Sequence, residues 1–540
     1  MWRNGRAAGA LAAATVLTAA LSAAPVSAAE VSAAETGFDP LPMKLPSAGA
    51  HASADAQRTW ILGIRPSAQA QRIAAHYGAQ RIIDVAVSIP AGRAREAAAA
   101  LKRAGELSYA EPDVKLRRAS SYDGHPEQWA RAAIVPPDLP APAPPGDLRV
   151  GVIDDEVDVT LGDLAAHTTQ MLGGPVRDAH GTQVTSVVSA AVGNGGVMGV
   201  FPSVPILSYG TDLSCADVAR GVSMLDDFGA QVINIGLGSP YPCVTQNIAI
   251  QQAIGHDIIV VAAAGNEFEL GNQPQFPAAF PHVLSVAAVL PDWTSAWFSN
   301  ANAAVDISAP GVGVPVATPL AFDVEDGVQD GMSLADGTSF AAPMVTGAAA
   351  WVRAVRGDLS GMQVADVLRS GSYDVGPRGW DSDFGWGVVN IPGALGAPVP
   401  PVDPFEPNDD MPYVNGTYFQ GADPPVYRGS SRRLVASVDF AEDPYDVYRF
   451  RMPGHSALRA TLRPRYGDPD LYAFHGGARS LRNRRAIVDR SERAHGADRV
   501  FLRNTGRRSA LGYLVVSAPT TGATIDSRYS LSITRTHYRR

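Results

Sequence analysis

The stretch DGTSFAAPMVTG, residues 336–347, sets one hydroxyl, Ser339, between a Gly-Thr pair and a run of small apolar residues. Packing of that run has no use for a hydroxyl, which makes chemistry the reading to pursue. A serine oxygen is a weak nucleophile until a base takes its proton, and the base works best when a third group fixes its tautomer and orientation. The chain offers a histidine, His180 in DAHGTQVTSVVSAAVG, just ahead of a Gly-Thr turn and a helix of small residues. It also offers a carboxylate, Asp154, which closes the apolar strand LRVGVID, a rigid place from which to present it. Taken singly, each of the three reads as an ordinary turn or cap. Together and in this order they read as a nucleophile, a base and an orienting acid.

Around these residues the apolar segments LRVGVID, PILSYG, QVINIGLG, DIIVVAAAGN and VLSVAAV alternate with helical ones. Each is bounded by Gly, Pro or Asp, and such alternation predicts a parallel sheet with helices on both faces. Sites on such sheets form at the carboxyl ends of strands. Upstream, residues 58–118 alternate strand-like and helix-like patterns and predict a small α+β unit with two helices on one face of a sheet. A Pro-rich connector, VPPDLPAPAPPGD (135–147), follows it. A second, GAPVPPVDPFEPNDD (396–410), precedes short β-rich runs that predict an all-β sandwich over 411–540.

With 540 residues and 46% hydrophobic content the chain is long enough for more than one core. Its start places Arg3 and Arg6 before a short Ala-rich apolar stretch and then Val26-Ser27-Ala28, the pattern of a cleaved export signal over 1–28. That stretch falls short of the roughly 20 strongly apolar residues a membrane span needs, and no later segment qualifies. The expected location is therefore extracellular, or periplasmic. Two cysteines, Cys215 and Cys243, allow one disulfide in an oxidising compartment and no disulfide framework. Residues 1–118 carry a net charge of +5, residues 119–402 carry −21 and residues 403–540 carry +7. All 22 basic groups of the last segment are Arg, read as a solvated face rather than an anion-binding surface.

GTSFAAP, HGTQV, VGVID, VINIGLG and AAAGNE together resemble the subtilisin-like serine proteases over residues 119–395. The resemblance implies a serine endopeptidase in which Ser339 is the nucleophile, His180 the general base and acid, and Asp154 the orienting carboxylate. Asn266 in AAAGNE matches the family's oxyanion donor, acting with the Ser339 N–H. Gly236, Leu237 and Gly238 resemble one wall of the family's peptide cleft; Ser208, Tyr209 and Gly210 with the residues after them resemble the other. Glu267 would lie near the pocket for the side chain preceding the cut. Aligned with the family, Cys215 and Cys243 fall beside the two walls, which implies a Cys215–Cys243 disulfide pinning them.

This chain departs from the family pattern in two places. Asp155 and Glu156 follow Asp154 where a small residue and Gly are usual, and Gly236 replaces a usual Ser. Neither removes a catalytic group. Residues 56–118 resemble the family's inhibitory prosegments, with the mature chain beginning near Ala119 after Arg117-Arg118. A leader of charge +5 would be steered to a domain of −21. The segment beyond 410 is similar to pre-peptidase C-terminal domains.

The expected partners are protein or peptide substrates and the chain's own prosegment; neither nucleic acid nor a membrane is expected, and the chain is expected to act as a monomer. No cofactor is required by this chemistry. Structural calcium is compatible with the 29 acidic groups of the middle segment, but no spacing defines a site and metal ligands stay unassigned. The alternative classes are a weakly active relative that binds or processes a narrow set of peptides, and a non-enzymatic adhesin driven by the Arg-rich module.

Overall fold

The structure is a computed structural model that describes residues 2–4, 59–113, 117–118, 128–172, 174–193, 196–324, 328–400, 403, 405–419, 424–439, 443–494, 496–518 and 526–536. The export signal beyond residue 4, its cleavage site and Ala119 lie outside the described residues. The chain forms two compact units. Among the described residues, one contains those from 59 to 407 with Tyr418 and Phe419, and the other contains 2–4, 408–417 and those from 424 to 536.

In the larger unit a seven-stranded sheet runs in the order Ile307–Pro310, Val283–Val289, Ile259–Ala263, Val232–Ile235, Val150–Asp154, Ile206–Gly210, Thr168–Gln170. Every neighbouring pair is parallel. The alternation of strand and helix predicted this, and the strand composition gives the reason. VGVID, VINI, IVVAA and VLSVAAV are buried at every position, as expected when helices cover both faces. The helix Thr338–Val355 is buried from Thr338 to Val352, and its Ala and Gly residues let it pass close to the sheet. Near its far end Trp351 packs against Phe201 with ring centroids 5.6 Å apart.

The strands Thr59–Ile64, Gln80–Ile83, Ala86–Pro90 and Leu107–Pro112 form a separate antiparallel sheet, with Leu107–Pro112 at one edge beside Thr59–Ile64. The helices Ala68–His76 and Ala91–Ala104 contribute Ala70, Ala74, Ala94, Ala97, Ala98 and Leu101 to a core shared with Leu62, Ile64, Val87 and Ile89. This is the predicted α+β unit, in which small alanines let the helices lie close to the sheet.

In the smaller unit one antiparallel sheet is ordered Trp2–Asn4, Asp498–Asn504, Ser456–Tyr466, Asp526–Thr536, Arg432–Asp439. A second is ordered Tyr445–Met452, Ala510–Ser517, Asp470–His475, Ile487–Ser491. Alternating apolar residues from both, among them Phe450, Leu458, Leu462, Leu514, Val516 and Leu531, are buried. Asn408 of the EPNDD cluster joins this sandwich, its Nδ2 donating to Asp446 at 3.0 Å and its carbonyl accepting from Val447 N–H at 3.0 Å. No helix among the described residues is long and apolar enough to cross a membrane.

Candidate active site

Three elements bring Asp154, His180 and Ser339 together. Asp154 ends the central strand Val150–Asp154, His180 opens the helix His180–Ser189, and Ser339 lies in the first turn of the helix Thr338–Val355. All three are buried, at 0%, 2% and 0% exposure, so their mutual interactions act in a medium of low polarity. His180 Nδ1 lies 2.6 Å from Asp154 Oδ1, and His180 Nε2 lies 3.0 Å from Ser339 Oγ. Asp155 N–H also donates to Asp154 Oδ1 at 2.8 Å, and the Phe340 ring flanks the imidazole with centroids 5.5 Å apart. Asp154 Oδ2 is buried and has no hydrogen-bond partner among the described residues.

Ser339 stands at the start of its helix, where the positive end of the helix dipole lies near the reacting oxygen. Pro343 falls in the second turn of this helix. Having no N–H, it cannot donate the helical bond that ordinarily runs back four residues.

Asn266 follows the strand Ile259–Ala263, and its Oδ1 accepts from Thr338 N–H at 3.0 Å and from Thr338 Oγ1 at 2.7 Å. Both bonds engage the oxygen and fix the amide plane, which turns Nδ2 away from Thr338 as a donor. Thr338 Oγ1 in turn accepts from Gly265 N–H at 3.1 Å. Thr338 was not singled out from the sequence, although it adjoins Ser339 in DGTSF.

Glu267 bends back on the same loop. Its Oε2 accepts from Asn266 N–H at 2.9 Å and from Asn300 Nδ2 at 3.4 Å, while Asn300 Oδ1 accepts from Glu267 N–H at 2.9 Å. The carboxylate thereby braces the loop that carries Asn266.

Gly236 lies directly against the three catalytic candidates. A Cβ at that position would stand 3.0 Å from Asp154 Oδ2, a tight contact, and 3.5 Å from both His180 Cε1 and Ser339 Cβ, ordinary contact distances. Leu237–Gly238 continues as a short strand, and Ser239 is bridged to Phe276 by bonds of 3.0 and 2.7 Å. Antiparallel to it lie Arg117 and Arg118, with Leu237 opposite Arg118 and Gly238 opposite Arg117. The structure does not bring Ser208 and Tyr209 to an open edge. Ser208 pairs with Val152 on one side and Gln170 on the other, and Tyr209 is buried with its hydroxyl donating to Asp217 at 3.0 Å. Gly210, at the strand end, is the one member of that trio that is partly exposed.

Cys215 and Cys243 are bonded as a disulfide, with Cα atoms 6.5 Å apart. Cys215 begins the helix Cys215–Asp227 and Cys243 caps the helix Val244–Gly255, so the bond ties two helix starts together. Loop closure over the 28-residue separation corresponds to about 3.6 kcal/mol. Replacing both cysteines by serine is expected to lower the folding free energy by about that much. The shift in denaturant midpoint at unchanged slope measures it.

The same two helix starts receive acidic groups from the α+β unit. Glu111 accepts from Val244 N–H at 2.7 Å, Thr245 N–H at 2.9 Å and Thr245 Oγ1 at 2.8 Å. Asp113 Oδ1 accepts from Ala216 N–H at 3.0 Å and its Oδ2 from Thr59 Oγ1 at 2.6 Å. Burial raises the Glu111 pKa to about 7 against the opposing pull of the N–H groups. Two groupings of candidate metal ligands occur within this unit, Glu111–Cys215–Cys243 and Asp154–Asp155–His180. Neither suits calcium, which takes about six to eight oxygens, because one holds the disulfide sulfurs and the other is engaged around the imidazole.

Residues 146–387 match the model of the Subtilase family. The chain is 30% identical to subtilisin DY of Bacillus licheniformis over 266 residues, covering 46% of this chain and 90% of that protein. It is 33% identical to alkaline elastase YaB of Bacillus sp. (strain YaB) over 224 residues, covering 40% of this chain and 55% of that protein. Among solved structures it resembles fervidolysin from Fervidobacterium pennivorans, described as a keratinolytic enzyme related to subtilisin. The TM-score is 0.57 at 17% identity, over 89% of this chain and 93% of that one, a likeness of fold. By its match to subtilisin DY and by the seven-stranded parallel sheet, the chain belongs to the subtilase family of serine proteases.

Proposed function

We propose that this chain is a secreted serine endopeptidase, made as a precursor whose 56–118 segment occupies the cleft until it is cut away. The observation that carries this reading is the unbroken relay from Asp154 Oδ1 through both imidazole nitrogens to Ser339 Oγ, with bonds of 2.6 and 3.0 Å. Ser339 attacks the scissile carbonyl while His180 Nε2 takes its proton, and Asp154 holds the ring with Nδ1–H toward the carboxylate. The negative charge that develops on the carbonyl oxygen is met by Asn266 Nδ2 and the Ser339 N–H. His180 then returns its proton to the leaving amine. Water, activated by the same imidazole, hydrolyses the acyl-enzyme.

A peptide substrate pairs with Gly236–Gly238, supported by the backbone pairing of Arg117–Arg118 with Leu237–Gly238. Glu267 and Gly210 border the remaining subsites. Secretion is supported by the leader over 1–28 and by the disulfide. The test of the reading is labelling of the exported protein by a fluorophosphonate probe, expected in the parent and absent in His180→Ala. Labelling that persists in that variant would mean that another base activates the serine.

Glu111 makes retention of the prosegment depend on pH. Docked, its pKa is about 7, whereas freed into solvent it returns to the ordinary value of 4.5, so the docked state binds the proton more tightly. Docking is therefore strongest in acid and weakens as pH rises through the window between these two values, by about 3 kcal/mol in all, or roughly two orders of magnitude in affinity. The cut prosegment is expected to copurify with the catalytic unit at pH 5 and to be lost at pH 8, while Glu111→Gln retains it equally at both. Equal retention by the parent at both values would show that another group sets the release.

A further inference from the structure

We infer that the surface receiving the prosegment is composite, and that its outer part is supplied by chain beyond the Pro-rich linker, through Tyr418. This rests on reading 56–118 as a removable prosegment. The central contact is Tyr109, on the edge strand Leu107–Pro112, which is 1% exposed. Its hydroxyl lies 2.7 Å from Thr245 Oγ1 on the catalytic helix Val244–Gly255. Its ring lies over Gly63 of the neighbouring strand, where a Cβ would come 2.1 Å from ring carbon Cε1; no larger residue leaves room for the ring. Toward the remaining side the ring meets Tyr418 edge to face, with centroids 6.2 Å apart and planes at 89°.

Tyr418 is itself 2% exposed, and its carbonyl accepts from Gln252 Nε2 at 3.4 Å. It is thus bonded to the same catalytic helix that Tyr109 and Glu111 reach. Tyr418 and Phe419 group with the larger unit, although the described residues before and after them, 408–417 and those from 424, group with the sandwich. A short arm returned to the catalytic helix at the point where the prosegment docks has a direct consequence. Tyr109 is enclosed by three segments of one chain: its own sheet, the catalytic helix and the arm.

Edge-to-face aromatic pairs add stabilisation beyond the area they bury. The arm therefore acts as a clasp on the prosegment, and release of the arm by a cut near the linker hastens prosegment loss. The two trimming events are coupled, with C-terminal trimming promoting activation. Departure of the prosegment in turn uncovers the Tyr418 ring and the Thr245 face.

The experiment uses the full chain carrying Ser339→Ala, which cannot process itself, and follows amide hydrogen exchange of Leu107–Pro112. With Tyr418→Ala added, these amides are expected to exchange about tenfold faster, while those of the core strand Val150–Asp154 keep their protection. Tyr418→Phe keeps the ring and is expected to restore the parent rate. Unchanged exchange at Leu107–Pro112 in Tyr418→Ala overturns the clasp. Equal acceleration in both strands also overturns it, because the arm would then support the whole fold and not the prosegment. In the active background, Tyr418→Ala is expected to shed the prosegment sooner than the parent. A parent that never sheds it would refute the prosegment reading while leaving the exchange result to judge the contact by itself.

Discussion

Ser339→Ala is expected to lower kcat by about 10⁶-fold, the magnitude established for subtilisin triads, and to leave the exported chain as an uncut precursor. Only the attacking oxygen is removed. His180 and Asp154 sit on a separate helix and strand and keep their 2.6 Å bond, and Ser339 is 0% exposed within a helix of small residues where an alanine fits. The fold should therefore survive, and KM for a peptide substrate should change little. Because the three groups act as one unit, the double variant with His180→Ala is expected to be no slower than either single variant. Kinetic losses that multiply in the double variant would mean that the serine and histidine work independently. The precursor's intact mass reports the second half of the prediction: processing in Ser339→Ala at the parent rate would assign the cut to another protease.

The catalytic candidates were legible because each lies in a local pattern with its own physical cause. Asp154 ends a strand of continuous apolar residues, a signature of burial on both faces, and strand ends are where such sheets place their sites. Ser339 was legible from a hydroxyl that its apolar neighbours could not use. The contacts of the α+β unit were not legible from its sequence alone, since Glu111 and Asp113 find their partners at helix starts more than 100 residues further along the chain. A local signal was present, however. Tyr109, Glu111 and Asp113 recur at every second residue of one strand and its continuation, so their side chains share a face, and two carboxylates beside a tyrosine on one strand face point to a docking surface.

The expected cleft wall at Ser208 and Tyr209 illustrates the opposite failure. The strand ILSYG looks the same whether it is interior or edge, and its position was decided by the short strand Thr168–Gln170, whose three residues carry no apolar alternation. Thr245, Gln246, Asn247 and Gln251 are polar yet fully buried on the helix Val244–Gly255, which no periodicity argument would place inside. Thr245 at least is covered by the α+β unit, through Glu111 and Tyr109, which supply partners for its hydroxyl.

Asn266→Ala is expected to lower kcat by about 10²–10³-fold with KM little changed, because the lost donor acts on charge that exists only in the transition state. The direction of the amide carries the reasoning. Asn266 Oδ1 already accepts two bonds from Thr338, so Nδ2 is the end left to face an oxyanion beside Ser339. Asn266→Asp sharpens the test. It preserves an acceptor for Thr338 N–H and Oγ1 but turns a second oxygen, carrying negative charge, toward the position where the substrate oxygen becomes negative. That variant is expected to be slower than Asn266→Ala even though it conserves shape and the Thr338 bonds, because like charges in a buried site repel strongly. Steady-state kinetics on one peptide substrate with parent, Asn266→Ala and Asn266→Asp gives the ordering. An aspartate variant as fast as the parent would mean that the amide only braces its loop, and that the Ser339 N–H stabilises the oxyanion without it.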